Sequence, residues 1–222
     1  AMRISRPWDL ELAYTRAMMA FLLFRAGPAE VLMVGLGGGS LAKFIRKHRP
    51  QTNITAVEIS PQIVAAARSH FFLPEDDGHL NVLLADGAEY VPAHPGSADV
   101  ILLDGFDAGN QVESLATLDF YRACRRALKP GGVLVVNLWG RDPEFVTWFS
   151  RLVEAFDGQV AWLPVMGKSN VIAFGIGDDE GAARLAGAEM EKLARKWGLD
   201  FATFQRELRW ASDVAPLLDK KR

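Results

Sequence analysis

The chain has 222 residues, half of them hydrophobic, and a net charge of -2. This composition predicts one globular α/β domain with an extension, and it excludes a global basic field that would attract nucleic acid. Cys124 is the only cysteine, which excludes an internal disulfide and fits a reducing compartment. No apolar run reaches the roughly 18 residues that a bilayer span needs. We therefore expect a soluble, cytoplasmic protein without a nucleic-acid or membrane partner.

Residues 1–27 predict a helical segment, because apolar residues recur from Leu10 to Arg25 before Gly27-Pro28 ends the pattern. Residues 28–177 predict one α/β domain, in which short apolar runs alternate with helical stretches. Such runs are typical of parallel strands covered on both faces, and their alternation implies right-handed crossovers. The predicted strands span residues 31–34, 53–57, 80–84, 99–103 and 133–138, and the first of them is uniformly apolar.

The pattern changes near the end of this domain. Two further strand-like runs, 160–165 and 171–176, are separated by a short connection that contains Gly167, which predicts an antiparallel pair. We therefore predict a doubly wound, Rossmann-like fold with a mostly parallel seven-stranded sheet that ends in an antiparallel hairpin. This arrangement is typical of class I S-adenosylmethionine-dependent transferases.

Residues 178–222 predict a C-terminal helical extension of the same domain, with Asp178-Asp179 as a capping group. Its large aromatic side chains would form an adhesive surface if all were exposed. We expect them to pack onto the domain or onto a second copy of the chain, so a homodimer is one expectation. These residues are Trp197, Phe201, Phe204 and Trp210.

A glycine-rich turn lies between the first predicted strand and the following helix. Gly35, Gly37 and Gly39 permit a tight bend and let a ligand approach bare backbone near the N–H groups of the helix. Glu58 ends the next strand, where a carboxylate accepts the hydroxyls of a ribose. A purely structural turn and a solvated strand end are the alternatives, and we favour a nucleoside site.

Acids also end the third and fourth predicted strands. Because ligands bind beyond the carboxyl ends of such strands, Asp86, followed by Gly87, is positioned to accept from the exocyclic amine of adenine. Asp86 would also cap the next helix, and the two roles are compatible. Asp104 and Asp107 form a pair that would bind a cationic amine and take its proton, with helix capping as the structural alternative.

In this order and spacing, the motifs resemble the spermidine synthase (polyamine aminopropyltransferase) family over roughly residues 14–174. The resemblance rests on Val31-Leu-Met-Val34 before the glycine turn, Val57-Glu58-Ile59, Ala85-Asp86-Gly87, Leu103-Asp104-Gly-Phe-Asp107, Thr117-Leu-Asp-Phe-Tyr121 and Leu128-Lys-Pro-Gly-Gly132.

The resemblance implies a transferase that binds S-adenosylmethionine or decarboxylated S-adenosylmethionine as group donor and moves an aminopropyl group to a small polyamine-type amine. It implies that Glu58 is the ribose ligand, Asp86 the adenine ligand and Asp104 the base that activates the amine. Asp107 is similar to a second acid near the substrate, and Tyr14 to an active-site tyrosine. The 4 histidines lack metal-ligand spacing, so we expect no metal.

Three departures from the family pattern concern the donor and the amine. Gly38 stands where the family usually has an Asp that holds the amino group of the decarboxylated donor, and Ala108 stands where a Pro is usual. The β-stranded segment that precedes the first strand in the family is also missing from this sequence. The fold and the nucleoside site are expected to survive these changes, whereas the donor and the acceptor stay open.

Three other functions are alternatives to aminopropyl transfer. A methyltransferase that uses intact S-adenosylmethionine is the main alternative, because Gly38 removes one means of telling the two donors apart. A nucleoside-binding protein without catalysis is a further alternative. An NAD-dependent dehydrogenase is disfavoured, since the sequence has neither a second mononucleotide half nor a hydride-transfer constellation.

Overall fold

The computed structural model describes residues 2–107, 110–177 and 188–213, and the side chains of residues 106–111 and 213 lie outside that description. In chain order the strands are β1 (Glu30–Val34), β2 (Asn53–Glu58), β3 (Leu80–Leu84), β4 (Ala98–Leu103), β5 (Phe106–Asp107), β6 (Asn110–Gln111), β7 (Leu128–Trp139), β8 (Val160–Pro164), β9 (Asn170–Ile176) and β10 (Arg209–Trp210). The α-helices are α1 (Ala13–Met18), α2 (Ser40–His48), α3 (Pro61–Phe71), α4 (Gly87–Ala93), α5 (Leu118–Ala127), α6 (Phe145–Ala155), α7 (Ala188–Trp197) and α8 (Phe201–Glu207).

Eight of these strands form one sheet in the order β10-β8-β9-β7-β4-β1-β2-β3. The five strands from β7 to β3 in this order are parallel, whereas β9, β8 and β10 add in antiparallel fashion. The predicted mostly parallel sheet with a closing antiparallel hairpin is therefore confirmed. The sequence reading missed β10 and the separate β5–β6 hairpin, because two-residue strands carry no periodic pattern.

The hydrophobic core lies on both faces of the sheet, as a doubly wound fold requires. One cluster packs α1, α2, α7 and α8 against the sheet, and the other packs α4, α5 and α6. All residues of β4 are buried, and all except Asp99 are apolar, as expected for a central parallel strand covered on both faces. The central strands therefore hold their carboxyl ends in fixed positions at one edge.

The N-terminal segment differs from the single helix predicted for Leu10 to Arg25. The α-helix α1 ends at Met18, and a 3₁₀ turn continues over Met19–Leu23. Every residue of that turn is buried, so contact with the sheet decides its conformation rather than an amphipathic pattern. The start of α1 lies near the carboxyl edge of the sheet, where the Tyr14 hydroxyl donates to Asp104.

The C-terminal aromatics Trp197 and Phe201 are buried against the core of their own chain, with Trp197 stacked on His48 at 5.1 Å between ring centroids. The homodimer stays a prediction. The proposed Asp178-Asp179 cap lies outside the described residues, as does the first part of the predicted C-terminal extension. The three-part division of the chain therefore also stays a prediction. None of the described helices has the length and apolar character that a bilayer crossing would require.

Candidate active site

A cavity of about 790 Å³ opens at the carboxyl edge of the parallel strands. Ligands of open α/β sheets bind at this edge, and the volume suits a ligand of nucleoside size. The cavity brings together most of the residues that the sequence nominated. These lining residues are Tyr14, Gly35, Gly37, Glu58, Asp86, Gly87 and Asp104.

The turn between β1 and α2 forms one wall of the cavity. Gly35 has a φ of 91°, and a Cβ atom there would lie 2.5 Å from the carbonyl oxygen of Asp104. Only glycine permits this approach, which brings the ends of β1 and β4 together. Gly39, in contrast, is outside the cavity lining: it precedes α2, donates its N–H to the Leu36 carbonyl at 2.9 Å and faces Leu73.

Gly38 also faces away from the cavity. A Cβ atom at this position would lie 2.8 Å from the ring of Phe71, at the end of α3. The buried Lys43 donates a hydrogen bond to the carbonyl oxygen of Phe71 and so holds this residue from below. An acid at position 38 would therefore require Phe71 to move. In this chain, the ring of Phe71 fills the space that a side chain at position 38 would take.

Glu58 is held at the end of β2 by two backbone donors. Its Oε2 accepts from the N–H of Leu36 at 2.9 Å, and its Oε1 accepts from the N–H of Ser60 at 3.0 Å. Each carboxylate oxygen keeps a further lone pair that a hydroxyl group can use. The next residue, Ile59, is 67% exposed and gives the cavity an apolar surface beside this carboxylate.

Asp86 begins α4 as its N-cap. Its Oδ1 accepts from the N–H of Ala88 at 2.8 Å, which satisfies one free donor of the first turn. This single bond leaves Oδ2 available to a ligand in the cavity. The capping and ligand-binding roles predicted for Asp86 are thus geometrically compatible.

Asp104 directly follows β4 and lines the cavity, and each of its oxygens accepts one hydrogen bond. Asn137 on β7 donates to Oδ1 at 2.8 Å, and the Tyr14 hydroxyl on α1 donates to Oδ2 at 3.2 Å. Both donors are neutral, so no bonded cation compensates the carboxylate. A second lone pair on each oxygen stays free for a donor on a ligand.

Burial sets the protonation behaviour of this pair. It raises the pKa of Asp104 above its ordinary value, and the hydrogen bonds from Asn137 and Tyr14 only partly oppose this. Burial, followed by the nearby charge of Asp104, also raises the pKa of Tyr14 far above its ordinary value. Tyr14 therefore keeps its proton and acts as a donor, while Asp104 is a stronger base than an aspartate in water.

The charges on the described cavity lining have one sign. Glu58, Asp86 and Asp104 are acidic, and the lining residues that the structure describes include no lysine, arginine or histidine. Such a cavity favours a cationic ligand and disfavours one that carries a free carboxylate. Over the described part of the chain, no group of three potential ligand side chains could hold a metal ion.

One predicted site residue, Asp107, is not tested by the structure, and two asparagines in the cavity were not predicted. The backbone of Asp107 belongs to β5, but its side chain lies outside the described residues, so its predicted role stays a prediction. Asn137 and Asn170 line the cavity without having been among the candidate site residues. Asn137 carried a usable signal, because it is a polar residue inside the otherwise apolar run of residues 133–138.

Comparison with known proteins shows the family to which this chain belongs. Residues 11–142 match the model of the spermine/spermidine synthase domain. A polyamine aminopropyltransferase of Chromobacterium violaceum is 39% identical over 211 residues, which cover 94% of this chain and 81% of the relative.

Two solved structures share the fold. A spermidine synthase in complex with the transition-state analogue AdoDATO has a TM-score of 0.74 at 23% identity, covering 95% of this chain and 76% of its own. Human methyltransferase-like protein 13 in complex with SAH has a TM-score of 0.67 at 26% identity, covering 94% of this chain and 99% of its own.

Proposed function

The chain belongs to the spermine/spermidine synthase family, and we propose that it is a polyamine aminopropyltransferase with Asp104 as its base. The observation that carries the proposal is the position of Asp104, held by Tyr14 and Asn137 inside an acidic cavity at the carboxyl edge of the sheet. The name of the Chromobacterium relative, whose match covers 94% of this chain, supports the same activity.

Decarboxylated S-adenosylmethionine is the proposed donor. This nucleoside carries a sulfonium and an ammonium group, whereas intact S-adenosylmethionine also carries a carboxylate. The described lining offers three carboxylates and no basic side chain. Like-charge repulsion therefore disfavours the intact donor, even though Gly38 lacks the usual acid. Selection against the intact donor would thus come from the whole lining rather than from one residue.

In the proposed complex, the nucleoside follows the acids at the strand ends. Glu58 accepts the two ribose hydroxyls through its free lone pairs, and Asp86 accepts from the adenine amine through Oδ2. The exposed side chain of Ile59 covers one face of the adenine ring. The glycine turn with Gly35 and Gly37 lies along the donor without side chains to obstruct it.

The proposed reaction begins with an acceptor whose amine is protonated at neutral pH. Asp104 takes a proton from this ammonium group, and the nitrogen lone pair then attacks the propyl carbon next to sulfur. A C–N bond forms while the C–S bond breaks, and its electrons stay on sulfur. The products are 5′-methylthioadenosine, an aminopropylated amine and one released proton. Tyr14 keeps Asp104 oriented, and Asp107 is proposed as a second acid for the acceptor.

Product analysis with the purified chain tests this function. Decarboxylated S-adenosylmethionine with a diamine such as putrescine should give 5′-methylthioadenosine and the aminopropylated amine in equal amounts. Calorimetry should find at least tenfold tighter binding of the decarboxylated donor than of the intact one, about 1.4 kcal/mol. Methylated acceptor from intact S-adenosylmethionine would overturn the proposal in favour of a methyltransferase, the function suggested by the similarity to the human methyltransferase-like protein. Nucleoside binding without turnover would favour a non-catalytic binding protein.

We also propose a cytoplasmic location and a homodimer. The single cysteine, Cys124, is buried, which suits a reducing compartment. The edge of the sheet at β10 and the partly buried Trp210 offer the C-terminal part of the chain as a surface for a second copy.

A further inference from the structure

A chain of hydrogen bonds leads from the antiparallel hairpin to Asp104. The Nδ2 of Asn170 donates to the Oδ1 of Asn137 at 3.0 Å, and the Nδ2 of Asn137 donates to the Oδ1 of Asp104 at 2.8 Å. Asn137 is only 2% exposed, so water does not readily replace either partner. The base is therefore linked to a residue on a strand with which β4 does not pair.

The strand register explains why these two asparagines meet. In the antiparallel pair of β7 and β9, Trp139 lies opposite Asn170, and Asn137 lies opposite Ile172. Side chains alternate along a strand, so Asn137 and Asn170 share one face as diagonal neighbours. This face is the one on which α1 delivers Tyr14 to the other oxygen of Asp104.

An asparagine amide can bind in two orientations, and only one of them serves an ionised carboxylate. If Asn137 turned over, its Oδ1 would face the acceptor oxygen of Asp104, and two lone pairs would oppose each other. The donor on Asn170 fills the Oδ1 of Asn137 and so favours the orientation in which Nδ2 points to Asp104. We propose that Asn170 is a positioning residue, which acts through Asn137 to hold Asp104 as an ionised, correctly aimed base.

The catalytic role of Asn170 in this proposal rests on the proposed function. The predicted effect of Asn170 on the pKa of Asp104 does not depend on the reaction. The titratable groups that face the cavity around Asp104 are Tyr14 from α1, Glu58 from β2 and Asp86 before α4, among the described residues. None of them is changed by a substitution at Asn170. The hydrogen bond from Asn137 lowers the pKa of Asp104 against the effect of burial, so loss of that bond should raise this pKa.

Asn170→Leu tests the proposal, because leucine resembles asparagine in shape but has no donor. The acid limb of kcat/KM against pH should move up by about one pH unit, with activity restored at higher pH. Asn170→Gln, which keeps an amide donor, should restore the limb at least in part. Lys168→Ala, an exposed substitution in the same hairpin connection, should leave it unchanged.

A titration separates this proposal from the function on which it rests. The ¹³C shift of the Asp104 carboxyl, assigned by its loss in Asp104→Asn, should report a raised pKa in Asn170→Leu, whether or not aminopropyl transfer occurs. If Asn170→Leu unfolds, Asn170→Ala provides the same measurement with a smaller side chain. An unchanged Asp104 pKa, or an equal loss of activity at every pH, would overturn the proposal. Absence of aminopropyl transfer in the unmodified chain would instead overturn the proposed function alone.

Discussion

The two ends of β4 carry aspartates in opposite electrostatic surroundings. Asp99, at the amino end, is 3% exposed and accepts from the N–H groups of Ala29 at 2.8 Å and Glu30 at 2.9 Å, and from Arg25 at 2.6 Å. Asp104, at the carboxyl end, accepts only from the neutral side chains described above. The same residue type on the same strand therefore has a compensated charge at one end and an uncompensated charge at the other.

This difference reverses the direction of the pKa shift. Burial acts on Asp99 to raise its pKa, but the backbone donors and Arg25 outweigh burial and lower it. At Asp104 burial dominates and the pKa is raised. Ionised Asp99 therefore stabilises the fold above its unfolded pKa, whereas ionising Asp104 costs stability above its raised folded pKa. Charged and backbone N–H donors therefore lower the pKa of the buried Asp99, and without such donors the pKa of Asp104 stays raised.

Asp104→Asn should have the largest effect on activity of the three substitutions considered. The amide keeps the shape but takes no proton, so we expect turnover to fall by about 10²–10⁴-fold, measured as initial rates of 5′-methylthioadenosine formation. Since the substitution also removes a costly buried charge, the melting temperature at pH 8 should stay equal or rise. A large loss of stability together with retained activity would contradict the assignment of Asp104 as base.

Asp99→Asn should have the opposite signature. It leaves Arg25 without its partner and weakens the contacts with the start of β1, so the free energy of unfolding should fall by about 3 kcal/mol at pH 7. The difference from the unmodified chain should shrink as the pH falls through the lowered pKa of Asp99, because both proteins are then uncharged there. Denaturant unfolding at pH 7 and pH 3 measures this. A constant difference at both pH values would contradict the lowered pKa.

Glu58→Gln compares acids at the ends of β2 and β1, and its expected effect on ligand binding is the smallest of the three. The glutamine keeps one acceptor oxygen for the ribose, so we expect about tenfold weaker binding of the donor, about 1.4 kcal/mol, by calorimetry. The matched control is Glu30→Gln, at the amino end of β1, where the carboxylate accepts from Asn53 at 2.8 Å. Equal effects of the two substitutions would remove Glu58 from the nucleoside site.

Much of the architecture could be predicted because it depends on short-range patterns. Largely apolar runs indicated the strands of the main sheet other than β10. Strand-end acids could be expected to meet because parallel strands present their carboxyl ends at one edge. This reasoning assembled Glu58, Asp86 and Asp104 without any knowledge of distances.

Other features required the tertiary structure. The strand β10 and the 3₁₀ turn at Met19–Leu23 form through contacts with distant segments, and no local pattern announces them. Gly39 resembled a ligand-contacting glycine in the sequence but packs against Leu73, because only the path of the chain decides which side of a turn faces the cavity.

Local patterns were enough to predict the layered fold, the glycine bend and the edge of the sheet at which the acids lie, because periodicity and chain direction are properties of neighbouring residues. The tertiary structure alone decided which acid is compensated by Arg25 and which is left to Tyr14 and Asn137. It also decided that Asn170 is linked to Asp104 through Asn137, by the register of β7 and β9. Protonation depends on burial and on partners far along the chain, and these exist only once the strands have paired.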